Sequence, residues 1–278
     1  TGSESEPAGL CGISRSRFSA IDVVNTVAAT ERNIEVLTQW EEFLRLEADW
    51  NRLWESAPRR EVFTTFAWAR AYMRTYGTGG LRIATARRDG RLCAILPMID
   101  RSRELRFLGA PHSDYCDLVC DRDTRFAELG SMIEAVAACG PWKRMRFDHL
   151  SERSQFHQIC AAAEFQLAFS FSLRKGHKCP TVIAGDDPER IFGDPFNKEN
   201  PRRCEKRMAR RAPVSCAHVE SRPEILALLD LFFEQHRIRR CLATGSGGLF
   251  AHEENQLFFR NLVEEFDPYP RFRDQLAS

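Results

Sequence analysis

The sequence lacks the features that identify several large protein classes. No apolar run approaches the roughly 18 residues that cross a bilayer, so we predict no transmembrane segment. The net charge is only +1, with 40 Lys and Arg against 39 Asp and Glu. No overall field therefore attracts nucleic acid, and we expect no DNA partner. With 43% hydrophobic and 28% charged residues over 278 positions, the composition is typical of a globular protein with room for two domains.

Paired cysteines are also missing, since the ten cysteines include no CxxC. Closed zinc sites usually use such pairs, so we predict no metal site. The two-residue spacings His177 to Cys179 and Cys216 to His218 keep zinc as the weaker alternative. Scattered cysteines in a chain of this length are typical of reduced thiols, which favours a cytoplasmic location.

Four common catalytic motifs are absent. The chain has no GxxxxGK[ST] loop, no GxGxxG loop between a strand and a helix, no GxSxG and no HExxH. The glycines at 245, 247 and 248 follow a helical pattern, so we interpret them as a loop that ends a helix rather than one that cradles phosphate.

Hydrophobic periodicity predicts helices separated by strands. A Thr64-Thr65 pair predicts the cap of a helix that Gly77 ends. Asp89-Gly90 between the apolar runs 81–86 and 92–99 predicts a β-hairpin. Helical spacing covers residues 34–56, 66–76, 126–138, 154–164, 201–211, 223–240 and 253–266.

Strand-like runs complete a mixed pattern. They lie at residues 105–108, 115–119, 145–149, 168–173, 181–184 and 214–219. This order predicts an α/β or α+β fold with mixed sheets. We expect a partly disordered tail at 1–33, a first unit at 34–168 and a second at 169–278.

A polar segment, His112-Ser113-Asp114-Tyr115-Cys116-Asp117, lies between two apolar runs. At the start of a strand, Asp114 could orient an amine or accept a proton, and Tyr115 could donate one. The alternative is an Asx-type turn with a half-buried tyrosine.

Two basic segments follow. On a helix at 202–211, Arg203, Arg207 and Arg210 share one face with Lys206, which requires either solvent or an anionic partner. His236 and Arg237 close the predicted long helix; the imidazole could act as a base, although a single histidine on a helix is usually structural. Cations at a helix C-terminus are also explained by the helix dipole.

Several short motifs occur in an order that resembles one known family. They are Trp50-Asn-Arg-Leu53, Val62-Phe63-Thr-Thr-Phe66-Ala-Trp68, the hairpin at 84–97, Leu108-Gly109, Ser113-Asp114-Tyr115-Cys116-Asp117-Leu118, and Phe233-Glu-Gln-His236-Arg237 before Gly248-Leu249-Phe250. Over residues 40–265 this order resembles the acetyltransferase-like family associated with cellulose biosynthesis (CelD type), within the GNAT superfamily.

The resemblance implies tandem GNAT-like domains that transfer an acyl group from acetyl-CoA or another acyl-CoA to an amine or hydroxyl, in exopolysaccharide or cell-envelope metabolism. It implies that backbone N–H groups polarise the thioester and that the pyrophosphate lies on a helix N-terminus. On this interpretation Asp114, Tyr115 and His236 are catalytic. The substrate-binding residues would be Trp68, Asp117, Arg203, Arg207, Arg210 and Arg237.

The sequence departs from this family in two places. The run Arg87-Arg88-Asp89-Gly90-Arg91-Leu92 nearly matches the [QR]xxGx[GA] pyrophosphate loop, but we interpret it as a hairpin turn. The last residues, 267–278, do not resemble the strands expected of a second domain, so we expect that domain to be incomplete. The alternative function is therefore an inactive binding or scaffold protein that docks an anionic partner through the basic helix at 202–211. Neither the acceptor nor the oligomeric state follows from the sequence.

Overall fold

The computed structural model describes residues 10–14, 32–77, 79–110, 112–161, 170–172, 176, 199–213, 215 and 217–266. These residues form a mixed α/β structure, in agreement with the predicted class. The described part contains no helix that is both long and apolar enough to cross a membrane.

Eight described strands form one mixed sheet. They are β1 (Leu10–Ser14), β2 (Arg32–Leu37), β3 (Leu81–Arg88), β4 (Arg91–Arg101), β5 (Glu104–Phe107), β6 (Val119–Cys120), β7 (Arg144–Asp148) and β8 (Ser170–Ser172). The order across the sheet is β2-β3-β4-β5-β7-β1-β8, and β6 pairs with β4.

Eight described helices accompany this sheet. They are α1 (Trp40–Arg45), α2 (Glu47–Ser56), α3 (Phe66–Tyr76), α4 (Phe126–Ala138), α5 (Gln155–Ala161), α6 (Glu199–Ala209), α7 (Arg222–Thr244) and α8 (Glu253–Phe266). Two short 3-10 turns lie at Val62–Thr64 and Leu249–Ala251.

The pairing of β5 with β7 is parallel, whereas the other described pairs are antiparallel. Parallel neighbours need a crossover, and α4 lies between these two strands in the chain. The same edge of β4 pairs with β5 through residues 98–101 and with β6 through Ala94 and Ile95. The segment 108–118 therefore leaves the sheet after β5 and returns to it at β6.

The predicted hairpin is confirmed. Strands β3 and β4 meet at Asp89 and Gly90, whose φ angles of 51° and 75° are both positive. Such angles match the twist of a two-residue hairpin, and Asp-Gly adopts them readily. The Thr65 cap is also confirmed, because its hydroxyl accepts a hydrogen bond from the Trp68 backbone N–H at 3.2 Å.

The two faces of the sheet are covered by different helices. One face packs on α4 through side chains such as Leu129, Met132 and Ile133, which are at most 1% exposed. The other face packs on α1, α2, α3 and the C-terminal α8, with Phe43, Phe66 and Phe258 fully buried. Helix α8 thus contributes to the core beneath α3. The division into units at 34–168 and 169–278 stays a prediction.

Three predicted elements are wrong. Residues 32–37 form β2 rather than the start of a helix, because they pair with β3 over six positions. Residues 115–118 are irregular, and only Val119–Cys120 pair as a strand. Of the run 214–219, the described residues 215 and 217–219 form no strand.

The structure also places β1 within the segment predicted as a tail. The expected strand at 181–184 lies outside the described residues, as does the C-terminal segment 267–278.

Candidate functional site

The polar segment of the sequence lies in a loop at the carboxyl ends of the two parallel strands. β5 ends at Phe107 and β7 ends at Asp148, and the loop 108–118 begins directly after β5. Cys116 in this loop donates its backbone N–H to the carbonyl of His149, the residue after β7, at 3.1 Å. In open α/β sheets, ligands bind at this end of parallel strands.

Gly109 allows the loop to turn back on itself. Its φ is +97°, and a Cβ there would lie 2.6 Å from Ser113 Oγ and 3.1 Å from Trp68 Nε1. Trp68 Nε1 donates to Ser113 Oγ at 2.9 Å, and both side chains are buried. Trp68, predicted to bind substrate, therefore supports the loop from α3 through this contact.

Asp117, also predicted to bind substrate, is a buried residue of the loop whose side chain contacts the first residues of α5. Its carboxylate accepts backbone N–H groups of Gln155 at 2.7 Å, Phe156 at 2.9 Å and Leu118 at 2.9 Å. Burial raises the pKa of Asp117 to about 6, although these three N–H groups act in the opposite direction. The described contacts of this carboxylate are those of a helix cap.

Asp114 and Tyr115 are the exposed side chains of the loop. Asp114 is exposed, and Tyr115 is 36% exposed with its ring centroid 6.1 Å from that of Phe63. Next to them Cys116 is buried, and burial raises the pKa of its thiol to about 12, so it is not a thiolate nucleophile. The predicted acid–base pair is therefore exposed to solvent. The loop that carries it is held by the Trp68–Ser113 hydrogen bond and by the contacts of Asp117 with α5.

His112 joins the loop to α3 and α8. Its ring lies parallel to that of Tyr76, with centroids 4.8 Å apart, and 5.6 Å from that of Phe258. Burial lowers the pKa of His112. The hydroxyl of Tyr76 donates to Asn255 Oδ1 at 2.7 Å, so the stack is held in place from α8.

His236 lies in a different cluster from Asp114 and Tyr115. Its ring meets Phe250 edge-on, with centroids 4.9 Å apart, between α7 and the turn Leu249–Ala251. Within the part of the chain that the structure describes, its buried Nδ1 has no hydrogen-bond partner. Arg237 is exposed and forms an ion pair with Glu234 at 2.7 Å on the same helix.

The basic helix is α6, which ends at Ala209, so Arg210 lies in the turn after it; residues 203–209 of the helix are exposed. The structure leaves Arg203, Arg207 and Arg210 open to solvent, as a solvated charged face requires. No ion pair involving these three arginines occurs among the described residues.

The structure shows a basic pocket that the sequence interpretation missed. Its volume is about 820 Å³, and it lies between α3, the turn from β4 to β5, and the start of β7. Five cationic side chains and one carboxylate, Glu104, line it; the cations are Arg101, Arg103, Arg106, Lys143 and Arg144. The available signal was the pair of cation-rich runs at 101–106 and 143–146. They lie about 40 positions apart in the sequence, and the parallel pairing of β5 with β7 brings them together.

The family's pyrophosphate position does not fit phosphate here. Arg87-Arg88-Asp89-Gly90-Arg91-Leu92 forms the β3–β4 hairpin, as predicted, and not a loop before a helix. At the start of α4 the Arg125 backbone N–H already donates to Glu128 Oε2 at 3.1 Å. Asp121 also lies there, where it accepts from Thr124 Oγ1 at 2.8 Å. Arg88 forms ion pairs with Asp121 at 3.2 Å and with Glu128 at 3.3 Å, so the charged groups at this helix end already bind one another.

No group of three or more His, Cys, Asp or Glu side chains in the described ranges is placed to hold a metal ion. Neither a protein-family model nor a curated protein matches this chain.

Proposed function

We propose that this chain is a GNAT-like acyltransferase that moves an acyl group, such as acetyl, from a CoA thioester to an amine or hydroxyl acceptor. The observation that supports it most is the placement of the loop 108–118. This loop lies at the carboxyl ends of β5 and β7, where open α/β sheets bind ligands.

The exposed loop residues have the chemistry that the reaction needs. The Asp114 carboxylate accepts the proton that the acceptor amine or hydroxyl loses as it attacks the thioester carbonyl carbon. The Tyr115 hydroxyl donates a proton to the departing thiolate as the C–S bond breaks. Tyr115 then regains a proton from Asp114 through solvent, so the products are the acylated acceptor and the free thiol.

The rigidity of the loop suits this role. Trp68, Ser113 and Gly109 fix its first half, and Asp117 fixes its second half on α5. A preorganised loop holds its acid and base at one distance, which raises the rate of proton transfer relative to a mobile segment. The start of α4 does not take part in this proposal, because the Glu128 carboxylate already accepts the Arg125 backbone N–H there.

Calorimetric titration with acetyl-CoA tests the proposal. We expect saturable heat, and thiol release in the presence of glucosamine as an acceptor. Asp114→Asn and Tyr115→Phe should each lower the thiol-release rate by roughly 10²-fold while acetyl-CoA still binds. His252→Gln is the matched control, because it changes an exposed titratable residue to which no role is assigned, and it should leave the rate unchanged. The absence of heat at millimolar acetyl-CoA would sink the proposal for this chain.

A second candidate function is docking of an anionic partner through α6 and the turn that follows it, and the exposed Arg203, Arg207 and Arg210 favour it. Heparin is a suitable polyanionic probe. We expect the triple variant Arg203→Gln, Arg207→Gln and Arg210→Gln to elute from heparin at clearly lower salt than the wild type. Equal elution of the two proteins would remove this candidate.

A further inference from the structure

The basic pocket is open to solvent and is lined by aromatic and charged side chains. Tyr72 and Tyr76 of α3 form one wall together with Ile99 of β4. The turn from β4 to β5 and the first residue of β7 also line it. A volume of about 820 Å³ falls within the range of small-molecule sites.

Glu104, the one carboxylate among the described residues that line the pocket, already accepts hydrogen bonds from arginine side chains. Glu104 accepts hydrogen bonds from the Nε atoms of Arg106 and Arg144, and from Arg146 Nη1 at 3.4 Å. Burial alone would raise its pKa, but the hydrogen bonds from Arg144 and Arg106 outweigh it, so the pKa of Glu104 is lowered. Glu104 therefore stays ionised, and one negative charge is shared among three guanidinium groups.

The other cations of the pocket, Arg101, Arg103 and Lys143, do not bind Glu104. Arg101 donates through Nη2 to the carbonyls of Tyr76 at 2.8 Å and Gly77 at 3.0 Å. Among the described residues, the side chains of Arg103 and Lys143 form no ion pair. Both side chains are exposed, and an anion that binds at this pocket would meet two cations that have no carboxylate partner in the described part of the chain.

These two cations are held side by side by the backbone. The Lys143 backbone N–H donates to the Arg103 carbonyl at 2.8 Å, which joins the two turns. The Arg103 backbone N–H donates to Asp100 Oδ1 at 2.9 Å. Ser102 and Arg103 have positive φ angles of 55° and 66°. Both angles are those of the two central residues of a two-residue hairpin turn, which joins Arg101 at the end of β4 to Glu104 at the start of β5.

We propose that the basic pocket binds a small phosphate-bearing molecule. Several convergent cations suit a group with more than one negative charge, and guanidinium forks match phosphate oxygens. The tyrosine wall offers a flat apolar surface to the rest of the molecule. This inference does not depend on acyl transfer, since neither Asp114 nor Tyr115 lines the pocket.

Titration with inorganic pyrophosphate at constant ionic strength tests the site. We expect the wild type to bind, and the double variant Arg103→Gln with Lys143→Gln to bind about tenfold more weakly. Glutamine keeps the Cβ at position 103, so the strain of the turn is unchanged. The control is Arg60→Gln with Arg239→Gln, which removes the same charge from exposed positions elsewhere and should leave the dissociation constant unchanged.

Further arms distinguish the source of the phosphate. AMP is compared with adenosine, and glucose 6-phosphate with glucose, so that each pair differs only by the phosphate. CoA is titrated alongside them. Tighter binding of the phosphorylated partner within each pair supports the proposal, and the tightest of them identifies the source. Unchanged pyrophosphate affinity in the Arg103/Lys143 variant, or no binding at millimolar pyrophosphate, overturns it. Thermal denaturation of each variant confirms that its fold is intact. Acyl transfer that fails while pyrophosphate still binds rejects the proposed function alone.

Discussion

Tyr76 and His112 stack with their ring planes 4° apart and their centroids separated by 4.8 Å. Tyr76 belongs to the wall of the basic pocket, and His112 belongs to the loop that carries Asp114 and Tyr115. The stack therefore joins a residue of the proposed phosphate site to the loop of the proposed acyl-transfer site.

This stack makes a prediction about the titration of His112. Burial lowers its pKa below the ordinary value of 6.5, because the charged imidazolium loses its hydration. We expect an NMR titration midpoint below 6.5 for the wild type. Tyr76→Ala opens the site to water, and the midpoint should move up towards 6.5. His112→Gln identifies the resonance by removing it. A wild-type midpoint above 6.5 would contradict the burial argument.

Gly109→Ala should destabilise the protein by about 2–3 kcal/mol. The added methyl group meets a positive φ of +97° and a contact of 2.6 Å with Ser113 Oγ. Gly77→Ala is the matched control, since its φ is +88° and no atom lies within 4 Å of the added Cβ. The control should therefore report the backbone term alone, about 1–2 kcal/mol. Urea denaturation of both variants measures the difference, and equal losses would show that the Trp68–Ser113 contact adjusts without cost.

The local features of the fold were predictable from the sequence. Asp89-Gly90 and Thr65 act on their immediate neighbours, so the hairpin and the α3 cap follow from short-range chemistry. The bounds of α4 and α8 follow in the same way from periodicity.

The candidate site depends on contacts between distant parts of the chain. Trp68 and Ser113 are 45 positions apart, and no local pattern shows that their side chains meet. The loop was predicted as a strand because Tyr115 to Val119 is apolar enough, yet the backbone of Cys116 bonds to His149 instead of extending a ladder. The basic pocket was missed for the same reason, since its two cation-rich runs meet only through the parallel pairing of β5 with β7.

Glu265→Gln should destabilise the protein by about 2 kcal/mol. This carboxylate on α8 is 5% exposed and binds two cations of α3, Arg70 and Arg74, the latter at 2.6 Å. Its loss leaves Arg70, whose side chain is 20% exposed, with its ion pair to Glu47 at 2.8 Å but without the buried carboxylate. Glu264→Gln is the control: its ion pair with Arg222 at 3.2 Å is solvent-exposed, so the change should stay within about 0.5 kcal/mol. Thermal or urea unfolding measures both, and similar effects would mean that the α3–α8 contact contributes little to stability.

Asp117 predicts a pH dependence whose sign is opposite to that of an ordinary salt-bridged carboxylate. Its pKa rises from 3.8 to about 6 on folding, so the native state binds more protons than the unfolded state between these values. The free energy of unfolding that Asp117 contributes therefore falls as the pH rises through this window, and is constant above it.

The comparison of the wild type with Asp117→Asn isolates this contribution, because the other titrating groups are shared by the two proteins. Asparagine keeps one acceptor oxygen for the Leu118 and Phe156 N–H groups but turns an amide N–H₂ towards Gln155, so the variant is less stable at every pH. The wild type's advantage should shrink between pH 4 and 6 by an amount on the order of 2 kcal/mol. Urea denaturation at half-unit pH steps measures it. An advantage that grows with pH would mean that the three backbone N–H groups outweigh burial and hold the pKa of Asp117 below its ordinary value.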